Sequence, residues 1–85
     1  EDRKSPYYFS ILAPDAKGQV LRLAKIFNAE NVSFKQILHQ GTDGNTARVV
    51  IITHAVNKTQ LENVTRKLQA TSDFKLLNTF KVLGE

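Results

Sequence analysis

The side chains that could perform acid–base or metal chemistry are few. The 85-residue chain contains two histidines, His39 and His54, and no cysteine. Together with Asp15 or Asp43 the histidines could form a metal or acid–base site, but their spacing does not support one. Without cysteine the chain cannot hold a disulfide framework, a zinc knuckle, an iron–sulfur cluster or a thiol nucleophile. The sequence therefore predicts two histidines without a catalytic role.

Nucleophile and nucleotide motifs are also absent from the sequence. Ser10, Ser33 and Ser72 lack the Gly-x-Ser-x-Gly context of a hydrolase nucleophile. The glycine-containing stretch 41–44 lacks the Lys-Ser/Thr pair of a phosphate-binding loop, and no Gly-x-Gly-x-x-Gly fingerprint occurs. We therefore expect this chain to be non-catalytic and to hold neither a cofactor nor a metal.

The loop 15–18 is the segment best suited to bind a small anion. Its Gly18 lies at the start of a predicted helix, where free backbone N–H groups and the positive end of the helix dipole attract a carboxylate. Glycine there also allows a ligand or a neighbouring chain to approach the backbone closely. The alternative is a tight turn in which Asp15 caps the helix, and spacing alone does not separate the two.

Four segments rich in β-branched and aromatic residues are predicted to be strands: 7–13, 32–40, 46–53 and 74–83. The hydrophobic phase of the second strand shifts where Ile37 and Leu38 are adjacent, which predicts a bulge near Gln36. Residues 41–45 are rich in glycine and in residues that favour turns, so they are expected to join the second and third strands as a hairpin.

Two segments show helical periodicity. In the first, apolar residues recur at i, i+3, i+4 and i+7, namely Val20, Leu23, Ala24 and Phe27. Asn31 is predicted to end this helix, because asparagine tolerates the left-handed conformation found at helix ends. The second helix is predicted to begin at Asn57 with Gln60 as its capping-box partner.

The β-α-β-β-α-β order predicts an α+β fold of the ferredoxin-like type, a four-stranded antiparallel sheet with both helices on one face. The first and third strands are apolar on both faces. A strand of that kind is usually covered on both sides. We therefore expect the face without helices to meet a second copy or the rest of a longer protein.

Charge and targeting signals give weaker indications. The net charge is +4, but the basic residues are scattered, which is typical of a solvated surface. The third strand lacks the aromatic platform of RNA-recognition domains, so an RNA-binding domain is a less favoured alternative and we expect no nucleic-acid partner. No apolar stretch approaches the roughly 20 residues that cross a bilayer, and no secretion signal is evident. We expect a cytoplasmic protein without a membrane partner.

An aromatic strand, then Asp-x-x-Gly opening a helix, then Asn-Val-Ser-Phe at the next strand, resembles the ACT domain family. The matching stretches are 7–10, 15–21, 26–27 and 31–34. Within that family, Tyr7-Tyr8, the Ile-Leu-His-Gln of 37–40 and the Val-Ile-Ile-Thr-His of 50–54 most resemble the C-terminal ACT domain of bacterial homoserine dehydrogenases. The likeness covers 7–84 and implies a regulatory domain of those bounds, preceded by a linker at 1–6. Such a domain follows a long catalytic part, which agrees with a chain that begins without methionine.

This resemblance implies regulation by a small amino acid, because ACT domains usually bind one at the interface between paired domains. The implied effector-binding residues are Asp15, Lys17, Gly18, Gln19, Val20, Asn31, Val32 and Ser33. Main-chain amides of the glycine loop would hold the carboxylate, and the start of the second strand of a partner would line the other side. The implied effector is threonine. The implied parent reduces aspartate semialdehyde to homoserine with NAD(P)H, and its catalytic domain would be a further partner.

Two positions depart from the ACT pattern. Lys17 stands where many members have proline, so the loop is either looser or supplied with a cation for the ligand carboxylate. Asn31 stands where glycine is frequent, and its capping role and ligand role are not separable from sequence. Some members of the family have lost effector binding. A module that only oligomerises is therefore the alternative function.

Overall fold

The computed structural model describes residues 3–14, 18–42 and 44–83. Six elements follow in chain order: β1 (Tyr7–Pro14), α1 (Gln19–Asn28), β2 (Phe34–Gly41), β3 (Thr46–Thr53), α2 (Lys58–Ala70) and β4 (Lys75–Lys81). The strands form one antiparallel sheet in the order β2-β3-β1-β4. The predicted ferredoxin-like architecture is confirmed. Within the described ranges, no helix is long and apolar enough to cross a membrane.

The core lies between one face of the sheet and both helices. Alternate residues of the two central strands, such as Phe9 and Ile51, are buried against Phe27 of α1 and Leu68 of α2 in one cluster. Because both helices contribute to that single cluster, they cover the same face of the sheet. This packing fixes the position of α1 relative to β2. These two elements frame the candidate site.

The two helices begin differently. At α2 the predicted capping box is present, with the Gln60 N–H donating to Asn57 Oδ1 at 2.8 Å and the Asn57 N–H donating to Gln60 Oε1 at 2.9 Å. At α1 the N-cap position is held by Gly18, with φ of 87° and no cap from a described side chain. The predicted N-cap, Asp15, lies outside the described residues. The left-handed conformation at Gly18 explains why glycine is placed there.

The end of α1 agrees with the prediction. Asn31 has φ of 60°, in the left-handed region. The N–H of Val32 donates to the Phe27 carbonyl at 3.0 Å, and the N–H of Asn31 donates to the Asn28 carbonyl at 2.9 Å. This pair of bonds is the Schellman closure of a helix. It turns the chain sharply from α1 into β2.

Strand β2 begins at Phe34, two residues later than predicted, because the Val32 N–H is used to close α1. The predicted bulge is present, since the register with β3 shifts between Phe34 and Gln36. A second register shift, between Ser10 and Ile11 in the pairing of β1 with β4, was not predicted. Sequence periodicity in β4 is too short to reveal it.

The face of the sheet without helices carries a set of apolar side chains, as expected: Tyr8, Leu12, Leu38, Val50, Ile52 and Phe80. Phe80 packs against Tyr8 across the β1–β4 pair, with ring centroids 5.5 Å apart. Arg48 lies on the same face and donates to Ser10 Oγ at 2.9 Å. Of the two helices in the described part of the chain, neither covers this face.

The segment before β1 contacts the domain. Ser5 and Val56 exchange two backbone hydrogen bonds of 2.9 Å. The Pro6 carbonyl accepts from the Val82 N–H at 2.9 Å. Residues 5 and 6, which were predicted to belong to a linker, are therefore held against the folded part of the chain.

Candidate functional site

A pocket of about 280 Å³ lies between α1 and the start of β2. Its lining comprises Leu21, Ala24, Lys25, Asn28, Val32, Ser33 and Phe34. Because β2 is an edge strand, the pocket opens at the edge of the sheet. This volume lies just below the roughly 300 Å³ at which pockets for drug-sized molecules begin, so it limits a ligand to the size of a small metabolite.

The lining combines an apolar wall with three polar side chains. Lys25 offers an ammonium group, Asn28 an amide and Ser33 a hydroxyl. Together these groups can pair with a carboxylate, an ammonium and a hydroxyl, which are the groups of a small hydroxylated amino acid. Leu21, at the rim, is 60% exposed. Because Leu21 is exposed and the pocket opens at the sheet edge, another chain could close the pocket on this side.

The predicted effector-binding residues divide into three groups. Val32 and Ser33 line the pocket. Gly18, Gln19 and Val20, at the start of α1, are not among its lining residues, and neither is Asn31, which forms the turn before Val32. Asp15 and Lys17 lie outside the described residues. Within one chain, the described residues 18–20 therefore do not share this pocket with the residues before β2.

The start of α1 keeps the features expected of an anion site. None of the described side chains caps it, and its first turn contains no acidic residue. The first N–H groups of a helix lack intrahelical partners. A Cβ at Gly18 would meet no atom within 4 Å. The backbone of Gly18 is therefore accessible from outside the domain.

Sequence reasoning missed the α1 residues of the pocket. Leu21, Lys25 and Asn28 recur at i, i+4 and i+7, so they form a second stripe beside the buried one. The available signal was Leu21, an apolar residue that lies off the core stripe. Its position indicates an apolar surface on α1 in addition to the core.

The turn between α1 and β2 is fastened to α2. The Gln60 Nε2 donates to the Glu30 carbonyl oxygen at 2.9 Å and to that of Asn31 at 3.4 Å. The Glu30 carboxylate accepts from Asn63 Nδ2 at 2.9 Å and from Lys67 Nζ at 2.7 Å. The hydrogen bond from Lys67, followed by that from Asn63, holds the pKa of Glu30 below its usual range.

This pKa shift predicts that acid weakens the fold through Glu30. A carboxyl group whose pKa is lower in the folded state stabilises fully above its unfolded value, here near 4.5, and stops doing so as the pH falls through the folded value. In urea unfolding, the stability lost by Glu30→Gln should be largest at pH 7 and shrink toward pH 3. Glu62→Gln, at an exposed glutamate of α2, should have a smaller effect at pH 7. A Glu30→Gln difference that stays constant with pH would contradict the assignment.

The histidines are not brought into a site. His39 and His54 are both exposed. Across residues 3–14, 18–42 and 44–83, no group of three or more His, Asp or Glu side chains could hold a metal ion.

The sheet order, the shared helix face and the position of the pocket define an ACT domain. The chain has that fold: it superposes on the ACT domain of GTP pyrophosphokinase from Chlorobium tepidum with a TM-score of 0.67, at 13% identity over 93% of this chain and 99% of the other. A homoserine dehydrogenase from Thiobacillus denitrificans gives a TM-score of 0.74 at 13% identity, over 93% of this chain and 17% of the other. An uncharacterized Thermotoga maritima protein also gives 0.74, at 12% identity over 93% of this chain and 98% of the other.

Sequence similarity identifies the kind of ACT domain. The chain is 52% identical to homoserine dehydrogenase of Lactococcus lactis over 84 residues, 99% of this chain and 20% of that protein. It is 30% identical to the Neisseria gonorrhoeae homoserine dehydrogenase over 67 residues, 78% of this chain and 15% of that protein. The chain thus spans about a fifth of the length of the first of these relatives. No protein-family model matches the sequence. The predicted resemblance to an ACT domain of homoserine dehydrogenase is confirmed.

Proposed function

We propose that this chain is the regulatory ACT domain of a cytoplasmic homoserine dehydrogenase and that its effector is threonine. The parent enzyme would reduce aspartate semialdehyde to homoserine with NAD(P)H. Support comes from the 52% identity to the Lactococcus enzyme and from the ACT fold. We assign catalysis and NAD(P) binding to the rest of the longer enzyme, and no residue of this chain to the cofactor.

The observation that carries the effector role is the pocket between α1 and β2. Threonine carries a carboxylate for Lys25, an ammonium and a hydroxyl for Asn28 and Ser33, and a methyl group for the apolar wall. Val32 and Ser33 belong both to this pocket and to the residues that the ACT resemblance implies. The pocket and the ACT resemblance therefore indicate the same two residues, just before β2.

The same pocket favours a homo-oligomer, at least a dimer. It opens at the sheet edge beside the exposed Leu21, so a second copy would supply the missing wall. The first backbone amides after Gly18 are the groups that this copy would bring to the ligand carboxylate. A ligand bound across two copies stabilises only the arrangement in which both contact it. Threonine would thereby shift the attached catalytic domains toward a less active state.

One observation favours a second function, oligomerisation without a ligand. Gly18, Gln19 and Val20 do not line the pocket of their own chain, and Lys17 replaces the proline common in ACT loops. A domain of this kind would pair copies of the enzyme and remain indifferent to amino acids. The two functions differ in ligand binding, which is directly measurable.

Isothermal titration calorimetry of the chain, combined with analytical ultracentrifugation, tests the proposal. We expect heat with threonine and a dimer, and much weaker binding of valine, which has the shape of threonine without its hydroxyl. Serine, isoleucine, methionine and lysine complete the comparison. A dimer that releases no heat with any of them at millimolar concentration would support the oligomerisation module and refute the effector role.

A further inference from the structure

We infer that Gln60 of α2 is a positioning residue for the effector pocket, although it does not line the pocket itself. The inference rests on the proposed function, because it concerns how tightly that pocket holds its ligand. It goes beyond that function by assigning part of the site to the second helix. The side-chain amide of Gln60 performs two tasks at once.

The first task is capping. Gln60 Oε1 accepts from the Asn57 N–H at 2.9 Å and completes the capping box of α2. This bond fixes the rotamer of the side chain at the first turn of the helix. The amide nitrogen is then left on the side that faces the end of α1.

The second task is holding the turn from α1 into β2. Gln60 Nε2 donates to the Glu30 carbonyl at 2.9 Å, with a longer contact of 3.4 Å to the Asn31 carbonyl. Asn31 has φ of 60°, a left-handed conformation that asparagine tolerates and that sets the direction in which the chain leaves α1. The two residues after Asn31 are Val32 and Ser33, which lie just before β2 and line the pocket.

Two further side chains of α2 hold the same turn. Asn63 and Lys67 follow Gln60 at i+3 and i+7, so all three side chains lie on one side of α2 and reach Glu30. They hold the turn by its backbone and by its carboxylate together. A shift of α2 against α1 would therefore move Val32 and Ser33, and by reciprocity a ligand that fixes those residues would stabilise the α2 contact.

Gln60→Glu separates the two tasks. A carboxylate keeps the acceptor for the Asn57 N–H but has no N–H to donate to Glu30 and Asn31. Asn57→Ala is the matched control, since it breaks the capping box and leaves the Gln60 amide able to hold the turn. Gln60→Met removes both the capping bond and the bonds to the turn without adding a charge.

Threonine titrations at pH 7 give the first readout. We expect Gln60→Glu and Gln60→Met to bind threonine about tenfold more weakly than the wild type, which is the effect of one lost hydrogen bond. Asn57→Ala should lower the urea midpoint and leave the affinity within about twofold of the wild type. Equal weakening by Asn57→Ala would overturn the inference, because the role of Gln60 would then be capping alone.

Amide hydrogen exchange gives the second readout, which does not need a ligand. The Val32 N–H, bonded to the Phe27 carbonyl, should exchange faster in Gln60→Glu than in Asn57→Ala. Unchanged exchange in Gln60→Glu would overturn the positioning role even if threonine binds. If the wild type binds no amino acid, the proposed function fails and the effector part of this inference fails with it. Faster exchange would in that case show that Gln60 holds the turn for another reason.

Discussion

Replacement of Phe27 by alanine is expected to remove about 3–5 kcal/mol from the free energy of unfolding. Phe27 is 0% exposed. Its ring meets Phe9 edge-on at 5.1 Å and Phe34 at 5.2 Å between centroids. A domain of this length has a total stability of roughly 4–13 kcal/mol, so the loss would remove between about a quarter of that stability and all of it. Urea unfolding followed by circular dichroism measures the change, since the chain contains no tryptophan for fluorescence.

Two further variants show whether the loss comes from the core. Phe80→Ala removes the same ring from a side chain that is 56% exposed on the open face of the sheet, and should cost at most about 1 kcal/mol in the isolated chain. Phe27→Leu keeps most of the buried volume and should cost about 1–2 kcal/mol. Equal losses for Phe27→Ala and Phe80→Ala would mean that the helix-covered face is not the main core.

The parts of the fold that local chemistry determines were predictable from the sequence. Asn57 and Gln60 form a capping box because their side chains satisfy backbone groups three residues apart. Asn31 takes the left-handed conformation because α1 needs such a residue where it ends. The third strand was predicted as 46–53 and observed as Thr46–Thr53, since its run of β-branched residues has clear boundaries.

The parts that depend on competition between neighbouring elements were not predictable. Strand β2 starts at Phe34 because α1 uses the N–H of Val32 for its own closure. The N-cap position of α1 is held by Gly18, whose φ of 87° is a left-handed conformation that residue spacing does not reveal. Both outcomes depend on three-dimensional geometry that residue types do not express.

The candidate site shows the same limit. Val32 and Ser33 were reached through the ACT resemblance, which follows the chain from strand to strand. Lys25 and Asn28 enter the pocket only because α1 packs across the start of β2. The spacing of residues in the sequence does not show which side of a helix faces the strand that follows it. The hydrogen bond from Gln60 to the Glu30 carbonyl joins residues 30 positions apart, so local sequence patterns do not predict it either.

Filling the pocket should abolish effector binding while the fold persists. Ala24 lines the pocket and is only half-buried, so a phenylalanine there would occupy the space that we propose for threonine. We expect Ala24→Phe to weaken threonine binding by about 100-fold or more, equivalent to about 2.7 kcal/mol. Stability should change by less than about 1 kcal/mol, because the helix propensities of the two residues differ by a fraction of that. Calorimetry and urea unfolding measure the two effects separately.

Ala70→Phe is the matched control, because it makes the same substitution at the exposed last residue of α2 and should leave binding unchanged. Gly18→Val then tests the wall that a second copy would supply, since a β-branched residue is disfavoured at φ of 87°. A site built across two copies requires both Ala24→Phe and Gly18→Val to lose binding. Loss in Ala24→Phe alone would exclude the start of α1 from the effector site, and loss in Gly18→Val alone would move the site to the start of α1. The pair of variants therefore decides whether the start of α1 takes part in effector binding.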